Sequence, residues 1–549
     1  MRSMIQVTVN GTVHTLEENT TYEQLADVLG LGKDVMLAQV GNRLCELHKC
    51  VGDQEEVEFL TLNSKAGYLT YKRSANLLFY KAIHDIMPEK DRFVTILHSV
   101  GNAYYYECEG VEITEELVKN IQERMEVLVQ EDLPIEKYNM RTEDAVQYFE
   151  KQGRMDKVHL LKYRRSSRTN IYRLGDYEDY FYGYMAPSTS RLRVFQVDHQ
   201  GQYLLLRLPK QTEPDVVPEL ENRPKLLRVL ERSKEWSKTL DVAHVGELNE
   251  VITKGEIHQL VLIQEALQEN LLNKIATKIL KENKRIVLIA GPSSSGKTTF
   301  SHRLAIQLQI HGLKPHPIAL DDFFKDREHS PRTPDGDYDF ESIHCLDIEL
   351  FNQCMKDLLD GKEVIMPRYN FVTGISEREE KPMKINKNDV LIIEGIHGLN
   401  KELTYHLPDE CKYKIYVSAL TQLAIDQHNR ISTTDGRLIR RIVRDARCRG
   451  VDAQSTIARW ESVRAGEERN IFPYQEEADV MFNSAQVYEL AVLKQYAEPL
   501  LFAVPRDSME YQEAKRLLKF LDYFLSIKSE DIPISSILRE FIGGGCFRT

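Results

Sequence analysis

The residues best equipped for chemistry form one short run, Gly291-Pro-Ser293-Ser294-Ser295-Gly296-Lys297-Thr298, followed by Thr299. Glycines at this G-x4-G-K-T spacing let the chain curl so that backbone N–H groups point inward, and such a curl before a helix is a cradle for phosphate oxygens. Lys297 would add a point charge on the outer phosphates, and the Thr298 hydroxyl is a suitable ligand for Mg²⁺. Asp321, in Asp321-Asp322-Phe323-Phe324, could accept the proton of a hydroxyl that receives a phosphoryl group. Glu394, at the end of a Val-Leu-Ile-Ile run, could hold the metal directly or through water. Further on come Arg437, Arg440, Arg441, Arg444, Arg447 and Arg449. At helical spacing, Arg437, Arg440 or Arg441, and Arg444 share a face, so several guanidinium groups are expected to project together over a polyphosphate.

These residues can work together only if something brings them to one edge. Short, continuous apolar runs at 286–290, 317–320, 390–393, 414–417 and 480–482 alternate with helical stretches. That pattern predicts a parallel sheet covered on both faces, with the loop, Asp321 and Glu394 leaving the carboxyl ends of their strands. The fold class expected is therefore α/β. Upstream, residues 211–284 predict a helical linker in which Leu271, Leu272, Ile275, Ile279 and Leu280 pack against a neighbour. Residues 496–549 predict a helical extension, and its Gly543-Gly544-Gly545 run has no role visible in the sequence.

Taken as a set, the region 285–495 resembles the uridine kinase and phosphoribulokinase family of P-loop kinases. The motifs occur in order: the loop, Asp321-Asp-Phe-Phe, Tyr338-Asp-Phe-Glu341, Pro367-Arg-Tyr369-Asn-Phe371, Glu394-Gly-Ile, Arg440-Arg441-x-x-Arg444-Asp445 and Ala478-Asp479-Val480. The resemblance implies an ATP- and Mg²⁺-dependent transfer to the 5′-hydroxyl of a nucleoside, uridine or cytidine first. It implies Asp321 as base, Glu341 on ribose hydroxyls, Tyr369 and Phe371 around the nucleobase, and Arg441, Arg444 and Arg449 in a lid. Gly374 stands where pyrimidine-reading members carry a histidine, which leaves the acceptor open. A sugar phosphate, with Arg332 or Arg368 as extra cations, is the neighbouring alternative.

The front half has a different character. Alternating Ile5, Val7 and Val9, the Asn10-Gly11 turn pair and a capping box at Thr21–Gln24 predict a β-grasp unit over residues 1–62. This unit resembles the TGS domain, and residues 63–210 resemble the α+β second additional (editing) domain of threonyl-tRNA synthetases. The synthetase's four metal and editing positions fall here on Lys72, Asn76, Phe181 and Met185, none of which is a strong zinc ligand. The resemblance thus implies a module that has lost its editing chemistry.

Composition sets the outer limits. A 549-residue chain predicts three or four domains, since single cores stop growing near 250–300 residues. The eight scattered cysteines read as reduced thiols, and Cys45-x2-His48-x-Cys50 is too irregular for a metal site. The absence of a long apolar run predicts a cytoplasmic protein away from membranes. A net charge of −12 argues against a general nucleic-acid coat. Locally, Lys162-Tyr-Arg-Arg165, Arg168 and Arg173 beside Tyr172, Tyr177, Tyr180, Phe181, Tyr182 and Tyr184 mix cations with rings as single-strand binders do. An RNA- or nucleotide-sensing protein with the loop as a switch is therefore the second class held open, with association of protomers equally undecided.

Overall fold

The computed structural model describes residues 4–88, 93–332, 336 and 338–547. Met4–Val9 and Thr12–Glu17 form the first hairpin; Asn10 and Gly11 at its turn take φ of 49° and 76°, the pair of left-handed residues that a right-twisted hairpin requires. Thr21 caps the helix Tyr22–Val28 through a capping box with Gln24. Met4–Val9 then pairs in parallel with Glu55–Thr61, completing a β-grasp sheet. The alternation rule does not detect Val35–Val40, whose first four residues are all buried, nor the three-residue Arg43–Cys45.

The next unit wraps two antiparallel sheets around the helix Lys65–Ile86. Every residue from Ser74 to Ile83 on that helix is buried, polar ones included, so no one-sided stripe announces it in the sequence. Two further helices of this unit are Glu115–Gln130 and Thr142–Lys151. Of the tyrosine-rich block, Tyr172, Tyr177, Tyr180 and Phe181 are core residues. Arg164 lies 4.5 Å from the ring centre of Tyr523 and Arg173 pairs with Glu136 at 2.7 Å. The positions that align with the synthetase's metal and editing residues are also engaged. Asn76 accepts from the Tyr106 hydroxyl, Met185 Sδ lies 3.6 Å from Ser74 Oγ, and Lys72 Nζ sits about equally near the rings of Tyr68 and Tyr104, at 5.2 and 5.1 Å.

The connecting stretch is helical only from Pro224, as Pro224–Leu240, Val245–Thr253 and Ile257–Lys281. Leu272, Ile275 and Ile279 are buried in the core shared with Lys297–Ile310, whereas Leu280 stays exposed. The boundary expected at 495 falls inside the helix Glu489–Phe502. The C-terminal extension contains the helix Tyr511–Leu521.

In the C-terminal half, five strands make one parallel sheet in the order Lys314–Ala319, Asp389–Glu394, Ile286–Ala290, Lys412–Ser418, Val480–Asn483. Both faces of the central strand are covered. Val287 and Ile289 join the core containing Phe300 and Leu304, while Ile286 and Leu288 join the one containing Phe351 and Met355. Register then brings the chemistry together: Glu394 lies opposite Ile289 on one side and Ala319 on the other. The phosphate loop, the Asp321 turn and Glu394 therefore leave the sheet side by side.

A small hairpin of the kinase-like half, Ala424–Asp426 with Asn429–Arg430, is plugged into the synthetase-like half. Ile96 N–H donates to Gln427 O at 2.9 Å, Gln427 N–H donates to Asp156 Oδ2 at 2.9 Å, and His428 stacks on Tyr80 with ring centres 3.8 Å apart. Below it Lys157 Nζ bridges Asp179 Oδ1 at 2.8 Å and Asp426 Oδ1 at 3.2 Å, all three side chains fully buried. The Lys157 ammonium holds Asp179 well below the usual carboxylate range against the opposing effect of burial. Removing Asp179 leaves Lys157 paired with Asp426 but takes a buried carboxylate from Lys157, Arg154 and His428 at once, a loss of about 3–5 kcal/mol. Asp179→Ala is therefore expected to lower the thermal midpoint clearly; an unchanged midpoint would refute the interlock.

Candidate active site

The loop is shaped by two glycines for different reasons. A Cβ at Gly291 would lie 1.9 Å from Val417 O, so only glycine lets the loop leave its strand against the neighbouring one. Gly296 takes φ +83°, the left-handed turn that swings the chain into the helix Lys297–Ile310. The loop's donors are waiting. Among the described residues the buried hydroxyls of Ser294, Ser295 and Thr299 have no hydrogen-bond partner, and Lys297 Nζ donates to the loop carbonyls of Gly291 and Pro292, at 3.0 and 3.2 Å. Burial lowers the Lys297 pKa, opposed by the carboxylates of Glu394 and Glu540. Such a set fits a polyphosphate, whose oxygens would satisfy each of these groups.

Thr298 Oγ1 donates to Glu394 Oε1 at 2.9 Å, putting a hydroxyl and a carboxylate together at the mouth of the loop. Burial raises the Glu394 pKa, and Lys297 and Thr298 oppose it. Among the described residues no cage of three or more His, Cys, Asp or Glu is assembled. A two-ligand oxygen pair nonetheless suits Mg²⁺, which keeps waters and takes substrate phosphates as its other ligands. Asp321 sits in the 3₁₀ turn Leu320–Phe323, open to solvent at the crevice mouth but walled by protein. That desolvation raises its pKa and Asp322 adds to the rise, while Lys297 and Arg449 pull it back. Glu341 packs against Gly466, where a Cβ would meet its Cγ at 2.9 Å. Its pKa is also raised by burial and by Glu467, with Arg441 opposing.

On the acceptor side Tyr369 is buried and Phe371 is 60% exposed. Their rings meet edge-on at 5.0 Å, and Phe324 lies 5.4 Å from Tyr369, making an aromatic corner with one open face. Arg327 fixes this corner by donating to Phe371 O at 2.8 Å, and its N–H donates to Gly374 O at 2.8 Å.

The arginine helix Thr433–Cys448 corrects the expectation of one projecting face. Arg437 and Arg440 turn inward and are buried. Arg437 pairs with Glu467 and donates to Ser293 O at 3.0 Å; Arg440 pairs with Glu489 and donates to Ser294 O at 3.3 Å. Glu467 Oε1 in turn accepts the Ser293 N–H at 2.9 Å. These two ion pairs grip the loop, while the residues free to meet a ligand are Arg441, Arg444 and Arg449. Arg441 Nη1 donates to Ser293 Oγ at 2.8 Å, and all three surround Asp445. Glu467 and Glu489 are functional in this sense yet lie outside any motif read from the sequence. The one available signal was that buried arginines on an amphipathic helix need buried acids.

A strand, a glycine-turned phosphate loop and acids at adjacent carboxyl edges define a P-loop nucleotide-binding domain of the α/β class. Residues 286–491, in the C-terminal region, match the profile of the phosphoribulokinase / uridine kinase family. The uridine kinase of Staphylococcus aureus (strain JH9) is 28% identical over 208 residues, covering 38% of this chain and 91% of that protein. The N-terminal region is similar to threonine–tRNA ligases. That of Syntrophotalea carbinolica is 30% identical over 199 residues, which is 35% of this chain but only 31% of the ligase. A structure of a possible uridine kinase from Bacillus stearothermophilus shares 18% identity and covers 36% of this chain and 89% of its own, with a TM-score of 0.25. No helix among the described residues is long and apolar enough to cross a membrane.

The inward and outward arginines should separate experimentally. Arg437→Leu leaves the buried Glu467 carboxylate with the half-buried Arg464 as its remaining cationic partner among the described residues and is expected to cost about 3–5 kcal/mol of stability. Arg444→Ala leaves Asp445 with Arg441 and Arg449, so stability should fall by less than about 1 kcal/mol while phosphoryl transfer drops. Thermal melts beside a turnover assay check both; equal melting losses would reject the division.

Proposed function

We propose that the protein is an ATP-dependent nucleoside kinase that phosphorylates a 5′-hydroxyl, with uridine or cytidine the first acceptors to test. The observation that carries this reading is convergence. Asp321, Glu341 and Glu394, from three separate segments, each feel the charge of Lys297 at the head of the phosphate loop. The match to a uridine kinase along most of that enzyme's length supports the choice of acceptor.

Each residue then has one task. The loop amides, the hydroxyls of Ser294, Ser295 and Thr299, and Lys297 bind and orient the triphosphate. Thr298 and Glu394 would hold Mg²⁺, which supplies charge neutralisation on the phosphate oxygens when bound. Asp321 accepts the proton of the attacking hydroxyl at a carboxylate oxygen. Glu341 accepts hydrogen bonds from vicinal ribose hydroxyls, and Tyr369, Phe371 and Phe324 offer the aromatic corner to a flat base. Arg441, Arg444 and Arg449 neutralise charge that develops on the moving phosphoryl group, where one arginine contributes roughly 10³–10⁵ in rate.

The deciding experiment is an ADP-release assay with uridine, cytidine, purine nucleosides and ribulose 5-phosphate as acceptors. Turnover only with nucleosides is expected, and turnover only with the sugar phosphate would reassign the acceptor. With the best acceptor, Asp321→Asn should lower kcat by about 10²–10⁴, the usual contribution of a general base, while ATP affinity stays within a few-fold. Undiminished turnover would remove Asp321 as base. The pH profile gives an independent reading. Because the Asp321 pKa is raised in the folded protein, the base is lost by protonation at a higher pH than an ordinary aspartate would allow. The acid limb of kcat/KM should therefore lie above the usual aspartate range near 4, and a flat profile down to that pH would contradict the assignment.

A further inference from the structure

The segment after the kinase-like sheet returns to the phosphate loop. Its short helix Arg539–Ile542 is buried on the side of Glu540, Phe541 and Ile542, and Glu540 Oε2 accepts the N–H of Thr299 at 3.1 Å. Ile537 is fully buried against Gly296, where a Cβ would meet its Cγ2 at 2.4 Å. Ser536 Oγ lies 3.3 Å from Gln486 Nε2, beyond the end of the last strand.

The same segment is latched to the arginine helix. Arg447 donates to Phe541 O at 3.0 Å and to Glu540 O at 2.7 Å, and the Arg440 guanidinium lies 4.8 Å from the ring centre of Phe541. The Gly543-Gly544-Gly545 run now has a physical role. Gly543 and Gly544 take φ of +85° and +69°, reversing the chain directly against Arg447, whose Cδ would be 3.1 Å from a Cβ on Gly543. After the reversal Phe547 stacks on His302 of the loop helix, ring centres 5.3 Å apart and planes 4° from parallel.

Position gives this contact its meaning. Thr298, Glu394, Lys297 and Asp321 mark the reacting end of a bound polyphosphate. The rest of the donor must run the other way along the first helical turn, toward the Thr299 amide. There the structure places a carboxylate, an anion on the donor that a phosphate oxygen would use.

We propose that residues 529–546 form an intrasteric strap: Glu540 takes the place of a donor phosphate on the Thr299 amide, and the nucleoside triphosphate binds by lifting the strap. The proposal rests on reading the loop as the donor site. It makes the arginine helix a part of the switch, since Arg447 holds the strap through the same helix that presents Arg441 and Arg444 to the ligand. The electrostatics agree, because Glu540 is felt at both Lys297 and Glu394, where a triphosphate would meet repulsion until the carboxylate leaves.

The test uses the full chain. ATP with Mg²⁺ is titrated calorimetrically into wild type, Glu540→Gln and Glu540→Ala, with melting curves to confirm folding. Both variants should bind ATP about tenfold more tightly, the size of one charge-assisted hydrogen bond. In wild type, hydrogen exchange should show the amides of residues 529–546 losing protection as ATP is added. ATP binding by wild type with this segment equally or better protected would overturn the strap and leave the donor site standing, as would folded variants with unchanged or weaker affinity. If wild type and both variants all fail to bind ATP while folded, the donor-site reading falls and the strap with it.

Discussion

The phosphate loop works only if its amides stay pointed inward, and backbone amides hold that pose only when the carbonyls beside them are held as well. Here two buried ion pairs do the holding. Arg437 with Glu467 and Arg440 with Glu489 reach the carbonyls of Ser293 and Ser294 from beneath. Isolated buried charges are costly, so each arginine must keep its acid, and each acid sits on a different element of the domain. The loop's shape is thereby tied to the packing of the helices Thr433–Cys448, Trp460–Asn470 and Glu489–Phe502.

The same helix links the two halves of the molecule. Just before it, the hairpin around His428 enters the synthetase-like half and is fixed there by Lys157, Asp179 and Asp426. Near its start, Asp435 pairs with Arg516 at 2.7 Å. Farther along, Arg447 holds the C-terminal segment. The synthetase-like region thus braces the segment that carries the phosphate-facing arginines.

Much of this was legible in sequence because it is local. A loop spacing, a capping box at Thr21 and an Asn-Gly turn each depend on a few consecutive residues. Continuous apolar strands betray burial on both faces without reference to partners. Elements were missed where burial is complete, as in Lys65–Ile86 and Val35–Val40, since periodicity reports only a contrast between two faces. The projecting-arginine expectation failed in part for a related reason. A helical wheel places Arg437, Arg440 and Arg444 by angle, but whether a guanidinium points to ligand or core depends on acids such as Glu467 and Glu489 supplied from elsewhere.

The sequence alone thus determined the phosphate loop, the order of the parallel strands' motifs and the candidate acids Asp321, Glu341 and Glu394, because residue type and spacing fix what a segment can do. Only the tertiary structure decided which groups meet. Glu394 reaches Thr298 through strand register, the inner arginines find their counter-ions across the domain, and Glu540 reaches the Thr299 amide because Arg447 holds the short helix Arg539–Ile542 against the phosphate loop. Pairings of this kind are set by three-dimensional packing between residues far apart in the chain, and no local pattern encodes them.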